Sequence, residues 1–236
     1  MIISYGHMTV KYLDNYLLYQ IIYNIYNIDM TMILELKENY GINNPFLIED
    51  IQNDFEYSYT TIKTMLSDYI KNNQLKRYDK GIYYFPKKSE ILGESMPAYS
   101  KVIERKFIEK NNKTFGYYTG IYLLNKIGLT TQVPLRREIT TNIETNIKRK
   151  VSIGDREVFL RKPLVEVTNE NVKYLQFMDI FRYAYDSEIK EHKDCIIKFI
   201  KENKLNKEDL KKYTFKYYPN KAKAKLLETG CWDEIK

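Results

Sequence analysis

NPFLIEDIQNDFEYSYTTIKTMLSDYIKNNQLKRYDKGIYYF, residues Asn44–Phe85, divides into a helix, a short break, a second helix and a basic hairpin. Asn44 can cap the first helix, and Pro45 then stands at the first helical position, where a missing N–H costs nothing. Glu49 and Asp50 follow early, where the helix dipole favours acids, and Leu47, Ile48 and Ile51 give an apolar face. Residues 53–57 break that pattern. Ser58 can cap the second helix, in which Ile62, Met65, Leu66, Tyr69 and Ile70 recur at spacings of three and four. That stripe leaves Tyr59, Thr60, Lys63, Thr64, Ser67 and Lys71 on the opposite side. After Asn72-Asn73, the residues Lys76, Arg77 and Tyr78, a turn at Asp79-Lys80-Gly81 and the β-prone run Ile82–Phe85 predict a hairpin closed by Pro86. This order of elements is that of a winged helix-turn-helix, whose second helix fits a DNA major groove.

Charge follows the same boundaries. Residues 1–56 hold two Lys and eight Asp/Glu, a net of −6, whereas residues 57–88 hold seven Lys/Arg and two Asp/Glu, a net of +5. The positive charge therefore begins at the second helix, where Lys and Arg would meet phosphates. The candidate duplex contacts are Tyr59, Thr60, Lys63, Thr64, Lys76, Arg77, Lys80 and Tyr83. The same face also suits an ordinary solvated surface or a protein-docking module.

The rest of the chain bounds the alternatives. Its 236 residues, 44% hydrophobic and 29% charged, suit one large or two small globular domains. The net charge of +7 is compatible with nucleic acid without requiring it. Cys195 and Cys231 make no disulfide framework and fit a reducing cytosol, so a cytoplasmic location is expected. The uncharged stretch Asn15–Ile28 is too short and too polar for a membrane span, and reads as part of one or two helices over residues 9–40. Met8 could be the true start. No phosphate-binding GxxxxGK[ST], GxSxG or HExxH is present, and His192 and Cys195 with Cys231 lack a fourth zinc ligand. Neither a catalytic role, a cofactor nor a metal is expected.

The expected fold class is α+β, in two domains. Residues 1–88 form an N-terminal helical segment plus the winged helix, 89–97 a linker, and 98–236 a mixed α/β domain. In the second domain, helices are predicted around Tyr99–Phe107 and Tyr118–Asn125, the latter stopped by Gly128. Strands are predicted at 138–141, 148–153, 157–161 and 164–168, with a turn at Gly154-Asp155. A helix capped by Asn169 and two or three more complete it. Residues after 88 carry a net of +8, with a cluster at Lys148, Arg149, Lys150 and Arg156.

Three segments, RYDKGIYYFPK (77–87), GYYTGIYLLNKIGLTTQVPLRREITTN (116–142) and RKVSIGDREVFLRKP (149–163), resemble the AbiEi-like antitoxin family, and more narrowly its branch with a GLTTQVP core, here Gly128–Pro134. The resemblance spans about residues 44–200. It implies an N-terminal winged helix and a C-terminal antitoxin domain. It further implies repression of the chain's own promoter and opposition to a nucleotidyltransferase-like toxin, with or without direct contact. Arg77, Lys80, Gly81 and Tyr83 carry over in the wing. Thr130, Thr131, Gln132, Arg136, Arg137 and the basic cluster at 148–156 are the candidate partner-binding residues. Gly128 as a left-handed helix cap, Leu129 folding back and Pro134 fixing an extended chain give the core motif a structural reading as well. A homodimer on paired half-sites is an open expectation. The apolar segment before residue 40 departs from the family pattern, and could make the winged helix an interaction module that does not touch DNA.

Overall fold

The computed structural model describes residues 31–89, 91 and 93–236, so the expectations for residues 1–30 lie outside the described residues. The chain is a mixed α/β protein, in keeping with the expected α+β class, and divides into two compact units, Met1–Lys101 and Val102–Lys236.

In the first unit, residues 31–40 are helical (α1) and bury Met32, Ile33 and Leu36. Gly41, at φ +72°, turns the chain into β1 (Phe46–Leu47). The strand corrects the expected helix start. Asn44 caps nothing and instead accepts from Lys101 Nζ (3.0 Å). Phe46 has no exposed surface and lies against Tyr40 and Phe85, with ring centroids 4.5 and 5.7 Å away. Burying that ring outweighs the weak local preference of Pro45 for a first helical turn. Helix α2 (Ile48–Asp54) opens one turn later, where the Leu47 N–H donates to Asp50 Oδ2 at 2.8 Å. After residues 55–58, Ser58 Oγ accepts from the Thr61 N–H and caps α3 (Tyr59–Lys71). Ile62, Leu66 and Tyr69 of α3 are buried as their spacing predicts, with Met65 and Ile70 packed half-buried against the same core.

Strands β2 (Lys76–Asp79) and β3 (Ile82–Tyr84) pair antiparallel, and β1 adds to the far side of β3, giving the order β1-β3-β2. The central β3 is buried throughout. A further hairpin, β4 (Lys87–Ser89) against β5 (Gly93–Ser95), runs from the end of the expected winged module into the expected linker. Gly93 adopts φ +71°, a turn conformation that glycine takes without strain.

The second unit is a four-stranded mixed sheet and seven helical segments that follow it or interrupt it. Helix α4 (Tyr99–Phe107) leads through a tight hairpin, β6 (Glu109–Lys110) and β7 (Lys113–Thr114), into β8 (Gly116–Thr119). Asn111 and Asn112, at φ +49° and +59°, form the hairpin turn. Tyr118, expected in a helix, is therefore in a strand. Gly116 allows β8 to run against the backbone of α4, where an added Cβ would fall 2.1 Å from the Phe107 carbonyl oxygen. Gly120, at φ +62°, then separates the strand from α5 (Gly120–Lys126). Strands β9 (Arg137–Thr141), β10 (Arg149–Ile153) and β11 (Arg156–Arg161) complete the sheet in the order β10-β11-β9-β8, with β9 and β11 parallel. Residues 164–168, expected as a strand, are irregular. There Asn142 holds Val167 by both backbone groups, and Asn171 accepts from the Thr168 N–H. Asn169 is not a cap either, since its side chain ties the 111–114 turn (2.6 and 2.7 Å).

Helix α6 (Val172–Tyr183) is buried along most of its length and forms the centre of a large core with α5, α7 (Asp186–Glu191), α8 (Lys193–Glu202), α9 (Lys207–Leu210) and α10 (Asn220–Glu228). A π-helix, Lys211–Phe215, links α9 towards α10. No helix among the described residues is long and apolar enough to cross a membrane.

Candidate nucleic-acid interface

Helix α3 presents Tyr59, Thr60, Lys63 and Thr64 to solvent, as the stripe on its other side requires. Thr64 Oγ1 donates to the Thr60 carbonyl (3.1 Å), which fixes its rotamer against the helix. Lys63 makes no ion pair among the described residues, whereas Lys71 is held by Asp68 at 2.9 Å. Asn73 closes the helix at φ +54°.

In the hairpin, Gly81 at φ +74° makes the turn, the Lys80 N–H donates to Asp79 Oδ1 (2.7 Å), and Arg77 Nε donates to the Asp79 carbonyl (3.2 Å). A register shift between Arg77 and Asp79 increases the local twist. Arg77 and Lys80 are exposed. Two of the expected contacts are placed elsewhere. Tyr83, 7% exposed, belongs to the core beside Phe46 and cannot reach a duplex. Burial raises its pKa; Arg77 opposes the shift, and Tyr59 and Glu49 add to it. Lys76 is half-buried and paired with Glu94 of β5 (3.1 Å), which ties the hairpin to the one after it. That second hairpin supplies Lys87 and Lys88, both exposed, which were expected at the end of the winged module and not as candidate contacts.

The first unit thus exposes the helix face Tyr59-Thr60-Lys63-Thr64 and the cations Lys63, Arg77, Lys80, Lys87 and Lys88. Such a set can meet phosphates with its cations and base edges with its hydroxyls.

The candidate partner residues of the second unit are mostly engaged within it. Gly128, at φ +80°, and Leu129, fully buried with its N–H on the Leu124 carbonyl (2.9 Å), close α5 as a left-handed cap. Thr130 Oγ1 accepts from the Gln132 N–H (3.3 Å), while Thr131 and Gln132 are exposed. Arg136 and Lys150 both pair with Glu157 (2.6 and 2.8 Å), Lys148 with Glu138 (3.1 Å) and Arg149 with the buried Glu144 (2.8 Å). Arg156 stands 4.0 Å from Asp155, and Arg137 lies over the rings of Tyr118 and Tyr122. The basic cluster is thus largely paired within its own unit, by Glu138 and Glu157 of the sheet and by Glu144 and Asp155 of the turns. The Cys195 thiol donates to the Gly128 carbonyl and Cys231 is buried, so both behave as packing residues.

One polar centre had no signal in the sequence. Asp179 of α6, with no exposed surface, accepts from Thr119 Oγ1 (2.5 Å) and Tyr218 OH (3.1 Å), with Arg182 3.8 Å away. Burial raises its pKa against those partners. It joins β8, α6 and the segment before α10.

The molecule is therefore a two-unit, mixed α/β protein with an exposed helix and basic hairpins in its first unit. It belongs to a family of unknown function (DUF6088), matched over residues 46–206. A comparison with curated proteins gave no match.

Proposed function

We propose that the chain is a bacterial antitoxin that reads its own promoter through a winged helix formed by α2, α3 and the β2–β3 hairpin, and that it counteracts a nucleotidyltransferase-like toxin in the cytoplasm. The observation that carries the reading is the capped α3, with Tyr59, Thr60, Lys63 and Thr64 exposed, followed by a hairpin with Arg77 and Lys80 exposed. In this role Lys63, Thr60, Thr64 and Tyr59 face the major groove, and Arg77 and Lys80 hold phosphates. Tyr83 supports the wing from inside, and Lys76 braces it. The antitoxin half of the reading rests on the resemblance of segments 77–87, 116–142 and 149–163.

The test is binding of the purified chain to duplex DNA from upstream of its own gene, against a scrambled duplex, over a salt series. Specific binding whose log K falls by about 0.9 per phosphate contact with log salt is expected. The double substitution Lys63→Glu/Arg77→Glu should remove specific binding with the circular dichroism spectrum unchanged. Equal affinity of the variant and the parent would end the assignment. Growth rescue on co-expression with the neighbouring nucleotidyltransferase-like gene product tests the antitoxin half. Paired half-sites in the footprint would indicate a dimer. A second reading, a protein-docking module, is favoured by the exposed Tyr57 and Tyr59. It predicts a protein ligand that competes with no duplex.

A further inference from the structure

Apart from the 148–156 cluster, the second unit carries a further run of positive charge. Residues 210–227, LKKYTFKYYPNKAKAKLL, contain six lysines and no acid. Lys223 is anchored on the Phe215 carbonyl (3.1 Å), and Lys225 on the Ala184 carbonyl and Asp186 (2.6 and 2.9 Å). Lys211, Lys212, Lys216 and Lys221 are exposed and form no salt bridge among the described residues, although Asp209 and Glu208 act on Lys212, and Lys221 on Asp186, through space. Three of them lie over aromatic rings, with Lys211 5.4 Å from the centroid of Trp232, Lys212 4.8 Å from Tyr213 and Lys216 5.9 Å from Tyr217. Tyr217 is 42% exposed, with its ring open to solvent.

The backbone contributes as well. Lys211 to Phe215 form a π-helix, a rare local form often found at functional sites. Its wider turn is stabilised by Thr214 Oγ1, which donates to the Leu210 carbonyl. Lys221 stands in the first turn of α10, whose positive dipole end adds to its charge.

We infer that this lysine–tyrosine face, Lys211, Lys212, Lys216 and Lys221 with Tyr213 and Tyr217, is a binding site for single-stranded nucleic acid. Lysines take the phosphates, and Tyr217 offers a stacking platform for an unpaired base. Lysine and ring alternate along the chain, which suits a strand that presents phosphate and base in turn. A duplex keeps its bases stacked inside and would leave the ring unused. An acidic lipid surface needs a row of exposed aliphatic side chains beside the lysines, and of those in residues 210–227 only Ala224 and Leu227 are exposed. The inference does not depend on the promoter-reading role of the first unit.

The experiment uses the full chain carrying Lys63→Glu/Arg77→Glu, so that the first unit contributes as little as possible. Its probe is a fluorescein-labelled oligouridylate of about 12 nucleotides, within the usual span of such sites. Lys211→Glu/Lys212→Glu/Lys216→Glu should raise Kd at least about tenfold. It should also make the log–log salt slope shallower by about 2, at roughly 0.7 per phosphate contact. Tyr217→Ala should weaken binding between about 5- and 100-fold, while Tyr217→Phe keeps it, because the ring and not the hydroxyl does the stacking. All four side chains substituted are exposed, so circular dichroism should not change. An unchanged Kd in the triple variant would overturn the proposal. So would retention on phosphatidylserine vesicles, lost in the triple variant, with no oligouridylate binding.

Discussion

A carboxylate with no exposed surface needs donors around it, and Asp179 has Thr119, Tyr218 and, more distantly, Arg182. Asp179→Ala leaves the Thr119 hydroxyl without its acceptor and should cost about 3 kcal/mol, read as a lower urea midpoint. Because burial raises the folded pKa of Asp179, the folded protein holds that proton more tightly than the unfolded chain does. Stability from this group therefore falls as pH rises from about 4, the unfolded value, and levels off above the folded one. Asn cannot titrate, so the penalty of Asp179→Asn should be largest below about pH 4 and shrink as pH rises. A penalty that grows with pH would mean that Arg182 outweighs burial. Glu144 runs the other way. Burial opposes its charge, but the Asn146 backbone N–H, the Arg149 side chain and the Asn146 amide more than offset it, and the pKa is lowered. Its stabilisation is present above the ordinary carboxylate range and is lost as pH falls through the lowered folded value. Glu144→Gln should thus cost about 1–3 kcal/mol near neutral pH and almost nothing in strong acid, measured by the same urea titrations.

At the scale of elements, the second unit depends on a close approach at β8. A Cβ at Gly116 would sit 2.1 Å from the Phe107 carbonyl oxygen and 2.9 Å from that of Thr140, both backbone atoms. Gly116→Ala should therefore destabilise by more than about 3 kcal/mol, or prevent folding of the unit, as seen in amide exchange across β8 and β9. Ser58→Ala, which only removes a cap, should cost about 1 kcal/mol. The two glycine and serine positions also show which elements were readable in the sequence. Helix α3 was, because Ser58, its apolar stripe and Asn72-Asn73 all gave the same answer. In the 116–125 segment the helix from residue 120 and its stop at Gly128 were readable, but the strand Gly116–Thr119 was not, because its aromatic run fits a helical period and a buried strand equally well. What separates the two is a backbone contact with α4, more remote than any local preference. Likewise, Asn44-Pro45 carried a good local helix start, and the stacking of Phe46 on Tyr40 and Phe85 overrode it. In the candidate site, the exposed face of α3 followed directly from its periodicity. The burial of Tyr83 and the pairing of Lys148, Arg149 and Lys150 did not, since both depend on residues brought together by the fold.

Across the whole molecule, charge and proposed specificity fall in different units. Residues 1–101 hold ten Lys/Arg and twelve Asp/Glu, a net of −2, and residues 102–236 hold 28 and 19, a net of +9. A long-range attraction to polyanions must then arise chiefly from the second unit, while any reading of sequence belongs to α3 in the first. The two contributions separate by salt and by sequence. Non-specific retention on heparin should survive Lys63→Glu/Arg77→Glu almost unchanged and move to clearly lower salt in Lys211→Glu/Lys212→Glu/Lys216→Glu. The preference for the upstream duplex over a scrambled one should show the opposite pattern, abolished by the first pair of substitutions and kept by the triple. If both measurements followed the first unit alone, the +9 of the second would be a solvated surface and no more. If both followed the second, the winged-helix assignment would fail, since a net-negative unit with an idle helix face reads no operator.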